Sequence, residues 1–297
     1  MTPLGPERVP HNRGMHTTLI EAPELLRLMA SEPAPLVLDA SFELNNPTAG
    51  RAQYSQEHIP GSLHADLDQD LSEHGQSANA GRHPLPSREA FAARLASWGL
   101  SPQQQVVVLD RQGANYCGRL WWMLKWCGHE PVAVLNGGLA AWKAAGGPIT
   151  ANPTPAPQPG QFVLGLPLVR ALDTAELQRA LGSPGQTVID ARANPRFRGE
   201  VEPLDPVAGH IPGALNRPFG DNLAPDGRFK PAEQLKQEFL QLLGGRDPSG
   251  VVHQCGSGVS ALPNLLAMEI AGLGRSALYP GSWSAWCNTP GTPRARC

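Results

Sequence analysis

A cysteine stands where an apolar run meets a glycine-rich turn. Val251-Val252-His253-Gln254 has the pattern of a buried strand, and Cys255 ends it. Gly256-Ser257-Gly258-Val259-Ser260-Ala261 follows, and then a helical stretch with Pro263 tolerated in its first turn. A thiol at such a junction meets the unpaired N–H groups and the positive end of a helix, which favour a thiolate. Gly256 and Gly258 are expected to let the backbone curl so that several N–H groups face the sulfur. An anion built on that sulfur, such as a persulfide, would be cradled in the same way. Ligands of open α/β sheets sit at the carboxyl ends of the strands, where Cys255 stands. An inert core thiol is the competing reading, and the glycine-rich junction speaks against it. A Cys-x5-Arg phosphatase loop is comparable, but its phosphate-gripping arginine would fall at Ala261. Cys117 and Cys127 lie in a Trp-rich helical stretch and Cys287 follows Trp286, so packing roles are expected. Cys297 is a terminal thiol.

The elements that must hold this loop occur twice. LVLDAS at Leu36–Ser41 returns as TVIDAR at Thr187–Arg192, and EHIPGSL at Glu57–Leu63 as GHIPGAL at Gly209–Leu215. VVVLD at Val106–Asp110 returns as VVHQC at Val251–Cys255, and LNGGLAAW ending at Trp142 as YPGSWSAW ending at Trp286. Four blocks in one order, at a period of roughly 145 residues, mean a duplicated domain rather than a solenoid. Asp110 matches Cys255, so the first half has no nucleophile there and is expected to act as scaffold and as one wall of an interdomain cleft. Residues 144–168 hold six prolines, an extended and semi-rigid join, with the boundary near residue 155.

Short apolar runs alternate with helical stretches in each half. LVLDA, VVVLD and VAVL read as strands, and EAFAARLASWGL and CGRLWWMLKWCG as helices. TVIDA, GVVHQ and SALY, with AEQLKQEFLQLLG and ALPNLLAMEIAGL, repeat the scheme. Alternation of this kind predicts an α/β fold of parallel sheets flanked by helices.

Composition narrows the remaining classes. The 297 residues are 41% hydrophobic and 17% charged, which suits globular domains with a sizeable core. A net charge of -2 gives no electrostatic case for nucleic acid or an anionic membrane. No apolar run approaches the roughly 18 residues of a membrane span. Five cysteines without a Cys-x-x-Cys pair fit neither a disulfide framework nor a zinc ribbon, and suggest reduced thiols in a cytoplasm. The first sixteen residues contain no apolar core of a secretory signal; they read as a loose extension, with Met15 a candidate natural start.

From about residue 17 onward the chain resembles the two-domain rhodanese family of sulfurtransferases. The HIPG blocks, the paired GG-L-x-x-W and GSW-x-x-W blocks and the position of Cys255 carry the resemblance. It implies two tandem rhodanese-like domains: residues 17–150 lacking the nucleophile, a Pro-rich linker at 151–168, and a catalytic domain at 169–297. It also implies a persulfide on Cys255, with no metal or organic cofactor. The loop Cys-Gly-Ser-Gly-Val-Ser-Ala looks like that of 3-mercaptopyruvate sulfurtransferases. Thiosulfate-preferring members carry basic residues where this chain has Gly256 and Ser257. In mercaptopyruvate-type members a Ser–His–Asp relay is proposed, and the matching residues are Ser257, His83 and Asp68. The family's donor-binding arginine matches Arg196, whose guanidinium suits a carboxylate because two donors meet two oxygens. Gly256, Gly258, Val259 and Ser260 would complete the donor site. A second arginine, about nine residues further on in such members, is missing, and Arg198 is the candidate substitute. The implied partners are a small-molecule sulfur donor and a thiol acceptor such as thioredoxin, or cyanide. Thiosulfate as donor and a non-catalytic binding module on the same fold are the alternatives.

Overall fold

A computed structural model describes residues 14–297; the expectations for residues 1–13 lie outside it. The first half runs β1 (Leu19–Ile20), α1 (Ala22–Met29), β2 (Leu36–Asp39), α2 (Ala49–Gln56), β3 (Leu63–His64), α3 (Arg88–Ser97), β4 (Val106–Leu109), α4 (Cys117–Trp126), β5 (Val132–Leu135) and α5 (Gly138–Ala144). The second runs α6 (Thr174–Arg179), β6 (Thr187–Asp190), α7 (Asn194–Arg198), β7 (Leu215–Asn216), α8 (Ala232–Leu243), β8 (Val251–Gln254), α9 (Leu262–Ile270), β9 (Ala277–Leu278) and α10 (Ser282–Asn288). Every strand pair is parallel. The orders are β1-β5-β4-β2-β3 and β7-β6-β8-β9. Read from β9, the second sheet reproduces the first without β1, whose place is reduced to a parallel bridge from Ala171 to Leu278.

Strands β4 and β5 are continuous apolar runs because both sheet faces are covered, whereas β8 ends in the fully buried polar pair His253 and Gln254. Alternate residues of β4 serve opposite faces: Val106 and Val108 enter one cluster, Val107 and Leu109 another. The first of these clusters is common to both domains. It joins Leu120, Trp121 and Leu124 of α4 to Leu262, Leu265 and Leu266 of α9. The two helices approach closely at Gly118, where a methyl group would stand 3.1 Å from Leu262 Cβ. Lys125, fully buried, donates to Glu269 at 2.5 Å and lies 4.5 Å over the Trp121 ring, so a cation seals the same contact. Burial pushes its ammonium pKa down, and Glu269 pulls it back.

Residues 151–168 form neither helix nor strand and lie along the first domain. Gly160 N donates to Ala96 O at 2.7 Å and Gly165 N to Cys127 O at 3.0 Å.

Candidate active site

Cys255 follows the last residue of β8 and is buried. The start of α10 clamps its loop: Trp283 N donates to Cys255 O at 3.0 Å and Ser284 N to Gly256 O at 2.9 Å. Cys255 N donates to Ser282 Oγ at 3.0 Å. That hydroxyl lies 3.0 Å from Tyr279 O and 4.0 Å from Cys255 Sγ, the two acceptors within reach of its single proton. Ser282 holds φ at +54°, a left-handed value for which a side-chain-bearing residue is strained; the first domain has Gly138 there at +57°. A hydroxyl kept in spite of that strain points to a use for it.

The two loop glycines serve different ends. Gly258 has φ +72°, and a methyl group on it would stand 2.2 Å from Pro280 O, so it makes the curl. Gly256 is not in the left-handed region, which corrects the expectation that it shares in the curl. It gives room: a methyl group there would lie 2.8 Å from Arg82 Nη2 and 3.4 Å from Arg196 Nη1. Val259 buries its side chain in the shared core and has only its backbone left for the site, while Ser260 is half-buried. Among the described residues, none accepts a hydrogen bond from the amides of Ser257, Val259 or Ala261.

Two of the three relay residues come from the first domain. Ser257 Oγ lies 2.8 Å from His83 Nδ1, a buried hydrogen bond across the domain boundary. His83 Nε2 is 3.6 Å from Asp68 Oδ1, longer than a hydrogen bond. Burial drives the His83 pKa down to about 3, with the cations Arg119 and Arg82 adding to it. The ring is therefore neutral at physiological pH. Asp68 is raised by partial burial and by neighbouring Asp66. Its neighbours are otherwise engaged: Asp66 Oδ1 accepts from Asp68 N and Gln69 N, and Asp70 pairs with Arg94 at 3.2 Å.

The arginines divide sharply. Arg196 faces Gly256 but is held by Glu202 at 2.7 Å and Asp205 at 3.3 Å. Arg192 is buried between Asp190 and Glu202, at 2.7 and 3.3 Å. Arg198 turns outward to Glu200 at 2.6 Å, and both are exposed. The expectation that it replaces the missing arginine is thereby corrected: two residues beyond Arg196 on α7 it lies on another side of the helix, where a surface ion pair takes it. Two arginines that no sequence pattern marks do reach the site, both from the first domain. Arg119 is fully buried in α4 and donates only to carbonyls, including Leu71 O, His83 O and, at 2.9 Å, Gly258 O of the nucleophile loop. Burial lowers its pKa to about 10, and the charge of Cys255 raises it. Arg82 is the other.

The Rhodanese-like domain family matches this chain twice, over residues 21–145 and 173–289. The chain belongs to the rhodanese-like family. A Pseudomonas aeruginosa protein named "Probable 3-mercaptopyruvate sulfurtransferase" is 49% identical over 266 residues, covering 89% of this chain and 93% of its own. The thiosulfate sulfurtransferase of Mus musculus is 33% identical over 259 residues, covering 86% of this chain and 85% of its own. Among solved structures, the 3-mercaptopyruvate sulfurtransferase from Leishmania major matches with a TM-score of 0.79 at 30% identity, over 93% of this chain and 75% of that one. In this rhodanese-like pair the first domain does more than scaffold, since His83, Asp68, Arg82 and Arg119 all come from it. Arg82 stands next to His83 in the sequence, and that adjacency was its only available signal.

Proposed function

We propose that the chain, a sulfurtransferase, takes the thiol sulfur of 3-mercaptopyruvate as the outer sulfur of a persulfide on Cys255 and passes it to a thiol or cyanide. The Cys255 thiolate attacks the donor sulfur. An S–S bond forms, the donor C–S bond breaks, and its electron pair leaves with the enolate of pyruvate. The proton of the donor thiol moves to the methylene carbon, which leaves pyruvate and an anionic persulfide. The amides of Ser257, Val259 and Ala261, free of acceptors among the described residues, are available to that anion. Ser257 and His83 carry the proton, and Asp68 orients the ring. An imidazole with a pKa near 3 holds a proton only in passing, which suits a relay and not a store. The acceptor attacks the outer sulfur and restores the thiolate. Reduced thioredoxin in a cytoplasm is the proposed acceptor, in keeping with five unpaired cysteines.

The observation that carries this reading is the hydrogen bond between Ser257 and His83 beside a neutral loop. One observation favours thiosulfate instead: Glu202 and Asp205 already occupy part of Arg196, which weakens its pull on a donor carboxylate. Pyruvate release from 3-mercaptopyruvate, compared with thiocyanate formation from thiosulfate and cyanide, decides between them. Faster pyruvate release is expected, and turnover of thiosulfate alone would reject the first reading.

A further inference from the structure

The family's second donor arginine has no counterpart between Arg198 and His210. A guanidinium nevertheless lies beside the nucleophile loop, delivered by the other domain. Arg82 Nη2 is 2.8 Å from the position of a methyl group on Gly256, and Arg196 Nη1 is 3.4 Å from the same point. Two cationic groups thus converge on the residue that follows Cys255. Asp205 holds them in register, bonding Arg82 through Nη1 and Arg196 through Nη2.

The way Arg82 is held leaves its useful edge unpaired. Asp205 takes Nη1, whereas Nε and Nη2 form the side-on fork that matches a carboxylate. Nε is buried and has no hydrogen-bond partner among the described residues. A buried donor without a partner carries a desolvation penalty that a ligand oxygen would relieve. The Arg82 side chain keeps 25% of its surface exposed.

We propose that Arg82 is the second guanidinium for the donor's carboxylate, supplied in place of the missing arginine by the first domain and held by Asp205. It is a specificity-determining residue, and the proposal rests on 3-mercaptopyruvate being the donor. Because the side chain crosses the domain boundary, donor affinity becomes tied to the interface.

Steady-state kinetics on the full chain test this, with Arg82→Ala, Arg82→Lys and the double variant Arg82→Ala/Asp205→Asn. In Arg82→Ala the KM for 3-mercaptopyruvate should rise by about 10-fold or more, with a smaller change in kcat. Arg82→Lys keeps the charge and the pairing with Asp205 but loses the fork, so its KM should fall between those of wild type and Arg82→Ala. It also decides the matter if the alanine variant does not fold. The double variant should keep the raised KM. A return to wild-type KM there would make Arg82 a cover for the Asp205 charge and overturn the proposal, as would an unchanged KM in the lysine and alanine variants. Pyruvate release by the wild-type protein separates the two levels. If it is absent, the donor reading has failed, and an unchanged thiosulfate KM in Arg82→Ala would then reject Arg82 as well.

Discussion

The loops after β4 and β8 are two copies of one turn with opposite contents. Four residues after the strand end, Gly113 has φ +69° in one and Gly258 has +72° in the other. In the first loop the Asp110 carboxylate fills the turn, accepting from Gln112 N, Ala114 N, Tyr116 N and Cys117 N at 2.8–2.9 Å. In the second, the amides matching the first three, those of Ser257, Val259 and Ala261, have no acceptor among the described residues. Burial raises the Asp110 pKa, and the four amides pull it back. The duplication therefore holds an internal control. One cradle is satisfied by its own side chain, and the other keeps its donors for an anion formed on Cys255. The barren loop shows what the fertile one is shaped to hold.

Converting one loop into the other should have the largest effect. Cys255→Asp places a carboxylate where the free amides lie. It should remove sulfur transfer altogether while the chain stays folded, as read by turnover and thermal melting. Residual persulfide transfer would reject Cys255 as the nucleophile. The reverse deletion, Asp110→Ala, strands four backbone donors. Each buried unpaired donor costs about 1–3 kcal/mol, so denaturant unfolding should show a loss of at least that size. A smaller loss would mean that the first loop does not depend on its carboxylate.

His83→Ala removes what the second loop has and the first lacks, a proton path reaching the turn. Turnover of 3-mercaptopyruvate should fall by about 100-fold. Thiosulfate turnover, which needs no proton at carbon, should fall less. Equal losses with both donors would leave His83 a packing residue.

A last effect is on stability against pH. His83 and His253 are held near pKa 3 and His129 near 4 by burial, against 6.5 for a free ring. The unfolded chain binds more protons in that window. The stability these neutral rings contribute is therefore full above about pH 6.5 and is lost as pH falls toward 4 and 3. Melting temperatures should drop on going from neutral pH to about pH 5. A flat profile would mean that these rings are hydrated.

The paired parallel sheets were legible because apolar strand runs and turn blocks repeat in register. Cys255 was legible because a glycine-rich turn between strand and helix is local in sequence, and His83 and Ser257 through a motif resemblance. The rest depended on distance. Arg82 and Arg119 meet the loop only after two domains dock, and nothing in one linear segment records that meeting. Arg198 misled because spacing gives no direction: the side chain pairs with Glu200 at the surface. Gly256 misled because a glycine can serve close approach as well as left-handed backbone.

Intact-protein and peptide mass spectrometry after brief treatment with 3-mercaptopyruvate, without acceptor, addresses the contrast between the loops directly. One added sulfur atom is expected, on the peptide carrying Cys255, together with one equivalent of pyruvate, and it should disappear when a thiol or cyanide is added. Pyruvate release with no added sulfur on Cys255, or with the sulfur on Cys117 at the start of α4, would contradict the assignment.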